Sequence, residues 1–433
     1  MIKRIIKKIT PEFVLKTYHY CWAFFSALFY FFPSGKMIII GITGTNGKST
    51  TVDMVSKMLI AAGYKTASIS SLRFQMNEKV WQNRLKMTMP GRFAIQKFLH
   101  QAFKEDCKYV VLETTSEGIK QYRHKFIDYD VAVITNLKPE HIEAHGSFEK
   151  YMLAKGKLFE ALSRDKRKKN IRKISIVNLD DENAKYFLNF KSDEKWGYGL
   201  KDSSIEVNQK LIASNINTAY PQTKFSLNNE EITINFLGEF NILNSLAAIS
   251  ICLSQKISLD LIIKSLEDIH GVPGRMEVVS KKPLVFVDFA HTPDALEAIH
   301  KAIKPLKKGD IICVLGSCGG GRDKWKRPEM GKISDQNCDK IILTNEDPYD
   351  ENPELILDQI GKGIIRKKAE RILDRKEAIK RALQIAQNED IVLITGKGSE
   401  PLMCLANGQK IPWDDREIVR QELNKIHENK GNI

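Results

Sequence analysis

The sequence predicts an α/β fold built on mostly parallel sheets. Short, continuously apolar runs rich in Ile and Val alternate with longer stretches of helical pattern, as is typical of strands buried on both faces. A glycine-rich turn follows the first of these runs, and such turns bind phosphate groups in α/β folds. The length of 433 residues allows about two to four domains.

The composition is that of a globular protein with a basic balance. Apolar residues make up 42% and charged residues 28%, which excludes wholesale disorder, collagen and coiled coil. The net charge of +14 suits an anionic partner, either a nucleotide, a phosphorylated substrate, a nucleic acid or an acidic lipid. The seven cysteines include no C-x-x-C pair, so neither a zinc ribbon nor a thioredoxin-type motif is supported. We expect Cys313 and Cys318 to be small buried residues.

The N-terminal segment 1–36 predicts a short hydrophobic helix. Residues 1–10 are basic, and residues 21–32 are almost purely apolar. A signal peptide has this layout, but no small-residue cleavage site follows. A membrane-spanning helix needs about 20 apolar residues, and Lys16 and His19 interrupt any such window. We favour an amphipathic helix or helix pair that lies on the membrane or packs on the protein, with a spanning helix as the least favoured alternative.

The alternation of patterns predicts the elements of the rest of the chain in order. Strands are predicted at 37–42, 109–112, 131–134, 174–177, 284–287, 311–315, 340–343 and 391–394. Helices are predicted at 51–62, 92–104, 241–255, 293–303 and 375–387. Residues 201–237 alternate polar and apolar side chains, which favours a small antiparallel excursion. Two glycines and a proline at 271–274 indicate a domain boundary, and the basic run 166–169 is expected in a solvated loop.

Residues 43–51 have the pattern of a phosphate-binding loop between a strand and a helix. Glycines let the backbone approach phosphate oxygens, and the N-terminus of the helix directs amides at them. Lys48 supplies a positive charge for the β- and γ-phosphates, and Ser49 offers a hydroxyl to Mg²⁺. Ile42 stands where the strict G-x-x-x-x-G-K-[ST] pattern has its first glycine. We expect nucleotide contacts from Gly44, Thr45, Asn46, Gly47, Lys48, Ser49 and Thr50.

Together with this loop, nine ordered segments make the chain resemble the Mur ligases, most closely those of MurE type. The segments lie at 112–124, 135–159, 238–248, 272–279, 285–296, 316–331, 344–353, 394–400 and 413–419. The family consists of ATP-dependent amide-forming enzymes of peptidoglycan precursor synthesis. The resemblance implies a central P-loop ATPase domain at 37–271 and a C-terminal Rossmann-like ligase domain at 272–433, after the hydrophobic segment 1–36. The chemistry is then expected in the cleft between the two domains.

The resemblance also implies the reaction and its cofactors, ATP and Mg²⁺. ATP activates a carboxylate as an acyl-phosphate, which an amine then attacks. Matching family positions imply a catalytic set of Lys48, Glu113, His141, Lys155, Asp288 and His291, and metal ligands Ser49, Glu113, His141 and Lys155, with Lys155 carbamylated. Further nucleotide contacts are implied for Asn241, Asn244 and Arg275. His145 stays undecided, and Lys157 is not required by the family pattern.

Substrate contacts are implied in the same way. Positions that hold the nucleotide-sugar-peptide match Thr88, Thr115, Ser116, Gln121 and Arg123. Positions for the incoming amino acid match Arg322, Glu346, Asp347, Gly396 and Glu400. Three departures matter: Met89 replaces an expected threonine, Ser399 replaces the usual histidine, and Tyr349 stands where diaminopimelate-adding enzymes have an arginine that clamps the far carboxylate. Lysine or another diamino acid is therefore at least as well supported as diaminopimelate.

The main departure lies at the N-terminus, because segment 1–36 is too short for the domain that grips uridine in MurE-type enzymes. We expect that grip to be absent or rebuilt, and the apolar helix adds the hypothesis of a lipid-linked acceptor. We expect a cytoplasmic monomer acting on small molecules, with peripheral contact at the inner face of the membrane. The alternatives are another ligase of the superfamily, such as a folylpolyglutamate-synthase-like enzyme, and a membrane-attached nucleotide-binding scaffold without turnover. Nucleic-acid binding is not expected, because only the net charge favours it.

Overall fold

A computed structural model describes residues 10–164 and 167–431, and within them the predicted α/β class is confirmed. The larger of two major sheets has nine strands. In chain order they are β1 (Ile38–Thr43), β2 (Thr66–Ile69), β3 (Arg73–Met76), β4 (Lys79–Gln82), β5 (Tyr109–Glu113), β6 (Val131–Ile134), β7 (Ile174–Asn178), β8 (Glu194–Gly199) and β9 (Gln209–Ile212). Their spatial order is β4-β3-β2-β5-β1-β6-β7-β8-β9, and only the edge strands β3 and β4 pair antiparallel.

The predicted antiparallel excursion is found just after this sheet. Three strands form a separate small sheet: β10 (Ser214–Asn217), β11 (Thr223–Leu227) and β12 (Glu230–Ile234). Alternate side chains of β11 are buried, which is the period-two pattern that the sequence carries. The prediction began the excursion too early, however, because β9 still pairs in parallel with β8 of the large sheet.

The second major sheet is also largely parallel. Its strands are β13 (Glu277–Lys281), β14 (Leu284–Asp288), β15 (Ile311–Leu315), β16 (Lys340–Leu343), β17 (Glu370–Arg371) and β18 (Ile391–Thr395). They lie in the order β13-β14-β18-β15-β16-β17, with β13 alone antiparallel to its neighbour. A hairpin of β19 (Leu402–Cys404) and β20 (Lys410–Pro412) follows. All eight strands predicted from apolar runs are present, each with ends within one residue of the prediction.

Helices cover both faces of the sheets, which explains why the central strands are apolar throughout. In the first half they are α1 (Glu12–Phe29), α2 (Lys48–Ala61), α3 (Arg92–Lys104), α4 (Ser116–Lys120), α5 (Ile142–His145), α6 (Phe148–Arg164), α7 (Ala184–Leu188), α8 (Glu239–Ser254) and α9 (Leu259–Glu267). In the second half they are α10 (Pro293–Ile303), α11 (Lys326–Asn337), α12 (Pro353–Gly361), α13 (Arg375–Ile385) and α14 (Asp415–Gly431). The five predicted helices are all found, although α2 begins three residues before its predicted start, at Lys48.

Helix α1 packs on α3 with its small residues inward. Ala23, Ser26 and Ala27 are buried, whereas the large aromatic side chains around them are exposed. Among the described residues, no helix is long and apolar enough to cross a membrane. The basic residues predicted for the start of this segment fall largely on 1–9, outside the described residues.

Two expectations need correction. The run 166–169 is only partly in a solvated loop: Arg167 and Lys169 are exposed as predicted, and Lys166 lies outside the described residues. Lys168, however, has a side chain only 7% exposed, and its ammonium donates to the carbonyl oxygens of Met37 and Asp128 at 2.6 and 2.8 Å. Cys313 is buried as predicted, but it is not a lone packing residue, because it forms a disulfide with Cys338 that links β15 to the end of α11. A basic run and two distant cysteines do not reveal such contacts in sequence.

Asp130 anchors the start of the parallel sheet and should be critical for stability. Its carboxylate accepts from the Ile39 amide at 2.9 Å, Lys168 at 2.5 Å and Lys173 at 3.3 Å, and Lys173 is 2% exposed. Asp130→Ala should lower the free energy of unfolding by about 3–5 kcal/mol, because it leaves buried cations without their carboxylate. Urea unfolding followed by circular dichroism measures this. The control Asp106→Ala removes an exposed partner of Lys65 and should cost less than about 1 kcal/mol; equal losses in the two variants would contradict the assignment.

Candidate functional site

The carboxyl ends of strands from both sheets face one cleft. Its cavity has a volume of about 430 Å³ and is lined by the loops after β1, β5 and β6 on one side and after β14 and β18 on the other. Ligands of open α/β sheets bind at such carboxyl edges. The cleft takes in most predicted site residues: Thr45, Asn46, Gly47, Lys48, Ser49, Thr50, Thr88, Glu113, Thr115, His141, Asn241, Asn244, Arg275, Asp288, His291, Arg322 and Glu400.

The phosphate-binding loop is fixed by close packing at its two glycines. Gly44 has φ +146°, and a Cβ there would lie 1.9 Å from Oγ1 of Thr135. Gly47 has φ +83°, and a Cβ there would lie 2.1 Å from Oδ1 of Asn244. The amides of Thr45 and Asn46 donate to the backbone and side-chain oxygens of Asn136, both at 2.9 Å. Helix α2 therefore begins at a rigid loop and directs its free N-terminal amides into the cleft.

Ser49 and Glu113 meet directly beside this loop. The Ser49 hydroxyl donates to Oε2 of Glu113 at 2.8 Å, and the same oxygen accepts the Ser71 amide at 2.8 Å. Glu113 ends β5, next to β1, so the sheet topology itself brings the pair together. Their oxygens form a compact set of hard donor atoms, which suits Mg²⁺.

Lys155 lies behind the loop rather than in the cleft lining. Its side chain is 1% exposed, and its amine donates to the Gly44 carbonyl at 2.6 Å and lies 4.5 Å from the centre of the Tyr151 ring. Burial, together with the charge of Lys48, places the pKa of Lys155 well below its ordinary value. A buried amine in its neutral form is a nucleophile, which is the state that reacts with carbon dioxide.

His141 approaches the same centre from the loop after β6. Burial and the charges of Arg322 and Lys155 lower the pKa of His141, so its ring is neutral and can bind a metal. Its neighbour Glu140 is 3% exposed, with Oε1 bound to Lys326 at 3.1 Å and Oε2 buried without a hydrogen-bond partner. His145 points away and contacts the Ser116 hydroxyl at 3.2 Å, which favours His141 as the functional histidine of the two.

The second half of the chain contributes Arg275, Asp288 and His291. The guanidinium of Arg275 stacks 4.1 Å from the centre of the Phe289 ring. Its Nη1 is buried without a hydrogen-bond partner, so this nitrogen is a donor that can bind an anion. Asp288 accepts the amides of Met276 and Ala290, both at 2.6 Å, and so shapes the turn that presents His291.

His291 is held as a neutral ring. Burial, with the charges of Lys326 and Arg322, brings its pKa well below the ordinary value. Its Nδ1 lies 3.0 Å from the Phe289 carbonyl, and assigning the proton to Nδ1 leaves Nε2 as an acceptor.

Two asparagines of α8, Asn241 and Asn244, pack beside the phosphate-binding loop. Both residues are buried, and Nδ2 of Asn244 donates to Oδ1 of Asn241 at 3.1 Å while Asn241 donates to the Leu237 carbonyl at 2.9 Å. Their i, i+3 spacing on one helix face, recognised in sequence, is what allows this bond.

The residues predicted for the acceptor fall into two groups. Thr88 and Thr115 line the cleft, and Thr115 also caps α4 by accepting the Gly118 amide at 3.1 Å. Ser116, Gln121 and Arg123 lie outside the cleft lining. Arg123 donates to Oε1 of Gln121 at 2.8 Å and to the carbonyl of Met89, so these two positions form one polar unit next to Met87 and Thr88, which line the cleft.

The residues predicted for the amino acid surround two lysines. Lys397 donates to both oxygens of Asp347 at 2.9 Å and to Glu400 at 2.6 Å. Lys86, from the other side of the cleft, donates to the same Asp347 at 2.7 Å and Glu400 at 2.5 Å. Burial opposes the charge on Lys86, but the two carboxylates outweigh it and raise the pKa of Lys86.

Glu346 and Gly396 lie behind this cluster and outside the cleft lining. Burial raises the pKa of Glu346 to about 7, and its Oε2 approaches Gly396 so closely that a Cβ there would lie 2.1 Å away. Gly396 has φ +110°, so both space and backbone conformation require glycine.

Sequence reasoning missed Lys86, Glu140 and Lys326. Glu140 and Lys326 lie inside segments that carry the family resemblance, but only the fold shows that they pair across the cleft. Lys86 lies in the loop after β4, two residues before Thr88. Although Thr88 matches the family pattern, nothing in the sequence marks the lysine itself.

The chain matches sequence models of two domains from one family. Residues 42–252 match the Mur ligase middle domain, and residues 274–398 match the Mur ligase glutamate ligase domain. A protein of Bacillus cereus is 34% identical over 428 residues, which cover 97% of this chain and 85% of the relative. A protein of Aquifex aeolicus is 36% identical over 395 residues, which cover 90% of this chain and 78% of the relative. Both are called UDP-N-acetylmuramoyl-L-alanyl-D-glutamate–2,6-diaminopimelate ligase.

Solved structures agree with these relatives. A ligase of the same name has a TM-score of 0.60 at 29% identity, over 90% of this chain and 79% of that one. Folylpolyglutamate synthase of Mycobacterium tuberculosis has a TM-score of 0.70 at 16% identity, over 87% of this chain and 92% of that one, which establishes a shared fold alone. With both halves of the chain matched and relatives covered over most of their length, this chain belongs to the Mur ligase family of ATP-dependent, ADP-forming amide ligases.

Proposed function

We propose that this ligase adds an amino acid, of the diamino class, to a UDP-N-acetylmuramoyl-peptide-like acceptor in peptidoglycan precursor synthesis. The observation that carries the proposal is the convergence of Lys48, Glu113, His141 and Lys155 around one phosphate-binding loop, at a cleft that also holds a cluster of acids able to bind an amine. The names of the relatives support the acceptor. A scaffold without turnover would have no need of a buried neutral lysine at this point.

The site fits Mg²⁺ by its donor set. Ser49 and Glu113 offer oxygens at the loop, His141 offers a neutral ring, and Glu140 has a buried oxygen without a partner. Carbamylation of Lys155 would convert its neutral amine into an anionic oxygen donor. Ser49, Glu113, His141 and the carbamate would hold the metal, which would neutralise phosphate charge when bound. Unmodified Lys155 would offer no anionic oxygen to the metal.

The residues of the cleft can position ATP for transfer of its γ-phosphoryl group. The amides at the start of α2 and the ammonium of Lys48 bind phosphate oxygens, while Asn244 holds Gly47 in place. Arg275 approaches with an unpartnered guanidinium nitrogen, which balances the negative charge of the transition state. The acceptor carboxylate attacks phosphorus, and ADP leaves.

The second step needs a neutral amine beside the activated acyl group. Asp347 and Glu400 bind the side-chain ammonium of the diamino acid, which leaves its α-amine to attack, and Arg322 lines the cleft where it can bind the α-carboxylate. Nε2 of His291 is an acceptor at the same cleft and can receive a proton from the amine as it attacks carbon. Phosphate is released and the amide remains.

Tyr349 stands at the family position that bears on the choice of amino acid, although it lies outside the cleft lining. It lies in a left-handed conformation at φ 50°, against Gly320, whose Cβ would be 2.6 Å from the Tyr349 ring. A phenol cannot clamp a distal carboxylate as an arginine does. Lysine or another diamino acid without a second carboxylate is therefore at least as well supported as diaminopimelate, which the names of the relatives give.

We also propose that the enzyme acts as a monomer in the cytoplasm without a nucleic-acid partner, because its substrates are ATP and other small molecules.

Release of ADP across a panel of substrates tests the proposal. The panel combines UDP-N-acetylmuramoyl-dipeptide, its lipid-linked form and a folate acceptor with lysine, ornithine, meso-diaminopimelate and glutamate. We expect ADP only when a muramoyl acceptor and a diamino acid are both present. ADP release with folate and glutamate, or hydrolysis that no acceptor stimulates, would overturn the proposed function.

Lys155→Ala should lower the rate of ADP release by at least about 100-fold, because it removes the group that completes the charged centre. Lys157→Ala is the matched control, since Lys157 is an exposed lysine on the same helix. Added acetate should restore part of the activity of Lys155→Ala, since it supplies a carboxylate in the vacated space. Equal activity of the two alanine variants would contradict the role of Lys155.

Glu400→Gln should raise the KM for the amino acid by about tenfold or more, because it replaces a charged hydrogen-bond acceptor at the ammonium site. The KM for ATP should stay close to that of the unmodified enzyme. Steady-state kinetics with each substrate varied in turn measures the difference. Glu389→Gln, at an exposed ion pair with Lys308, is the control, and an equal rise in both KM values for Glu400→Gln would count against amino-acid binding at Glu400.

A further inference from the structure

We propose that helix α1 docks this enzyme on an anionic lipid surface through an exposed aromatic face. We define the aromatic face as Val14, Tyr18, Trp22, Phe25 and Phe29, which recur every three or four residues and so lie along one side of the helix. Their exposed fractions run from 41% at Val14 to 66% at Phe29. The proposal goes beyond the ligase reaction, because none of these residues reaches the cleft.

The burial pattern of α1 is the reverse of that of a surface helix in a water-soluble domain. Such a helix buries its large apolar side chains and exposes polar ones. Here the buried positions are Ala23, Ser26 and Ala27, while the large rings point outward. Contiguous exposed apolar surface of this kind marks an interaction site.

The aromatic face continues onto the neighbouring helix. Trp22 and Phe29 contact Phe93 of α3 with ring centres 5.6 and 6.2 Å apart, and Phe93 is itself 37% exposed. The eighteen residues of α1 give it a length of about 27 Å. A ridge of this length, which carries one Trp, one Tyr and two Phe among its five side chains, has residue types that are found at the boundary between headgroups and acyl chains.

The charges around the face select an anionic surface. Lys3, Arg4, Lys7 and Lys8 precede the helix in sequence, and exposed Lys36, Lys97 and Lys104 lie on the elements that pack against it. Within α1, Glu12 is paired with Lys16 at 2.9 Å. Basic residues beside an apolar helix face bind anionic headgroups. A second copy of the chain would bring the same cations against one another, so the charges disfavour a dimer through this face.

Tyr20 and Phe24 attach the helix to the protein from another side. Their rings contact Phe126 with ring centres 5.2 and 5.4 Å apart. At about 100° per residue they point well away from the aromatic face, so this contact leaves that face free to meet a lipid surface. Vesicle binding does not depend on the proposed function and can be tested separately from turnover.

Sedimentation of the full chain with vesicles tests the proposal. The chain should sediment with vesicles of phosphatidylcholine and phosphatidylglycerol and much less with phosphatidylcholine alone, and added salt should weaken the binding. Phe25→Ser/Phe29→Ser should lower the partition coefficient by about tenfold or more, because it removes two exposed rings that would insert into the lipid. Leu355→Ser/Ile365→Ser is the control, since these exposed apolar residues (54% and 85%) lie far along the chain and should not affect binding.

The comparison requires that both double variants fold. ATP turnover with a soluble acceptor should be unchanged in each of them, which would establish that they do. Equal sedimentation of Phe25→Ser/Phe29→Ser and the unmodified chain would overturn the proposal. So would a dimer in solution that this variant dissociates, because the face would then be covered by a second copy.

Discussion

The constraint on which the site depends is the close packing around the phosphate-binding loop. Gly44 and Gly47 lie where no Cβ fits, pressed by Thr135 of one strand loop and Asn244 of α8. Lys155 reaches the Gly44 carbonyl from behind, at 2.6 Å. Because this carbonyl is held inward, the free amides at the start of α2 face the cleft. The buried position of Lys155 follows from the same packing, so nucleotide binding and the chemistry of the lysine have one structural cause.

Charged contacts across the cleft hold the two halves of the chain in their present arrangement. Glu140 pairs with Lys326 at 3.1 Å, both almost wholly buried, and Asp323 accepts the amides of Ile142 and Glu143 at 3.1 and 2.9 Å. These contacts fix the loop that carries His141 by means of residues from the other half. Breaking a buried ion pair is costly, so these contacts oppose separation of the two halves.

The sequence predicts much of this arrangement, because apolar runs and glycine turns are local signals. Strands β1 and β5, the loop at Gly47 and the i, i+3 pair of asparagines could all be recognised without a structure. The edge strands β3 and β4 could not, since their short polar runs lack an apolar pattern. Pairs such as Lys86 with Glu400 depend on how distant loops meet, and a solvated loop was wrongly expected at Lys168 because the sequence does not show which lysines a carboxylate buries.

The position of Lys86 bears on the choice of amino acid. Asp347 and Glu400 already share two ammonium groups, from Lys86 and Lys397, so a substrate amine must compete with a tethered cation. Lys397 comes from the same half as the acids, whereas Lys86 comes from the opposite side of the cleft. With Lys397 alone, the two carboxylates keep one negative charge, which the side-chain ammonium of a diamino acid can neutralise in place of Lys86. An amino acid without a side-chain amine cannot replace that cation, so the cluster favours the diamino class even though Tyr349 offers no clamp for a distal carboxylate.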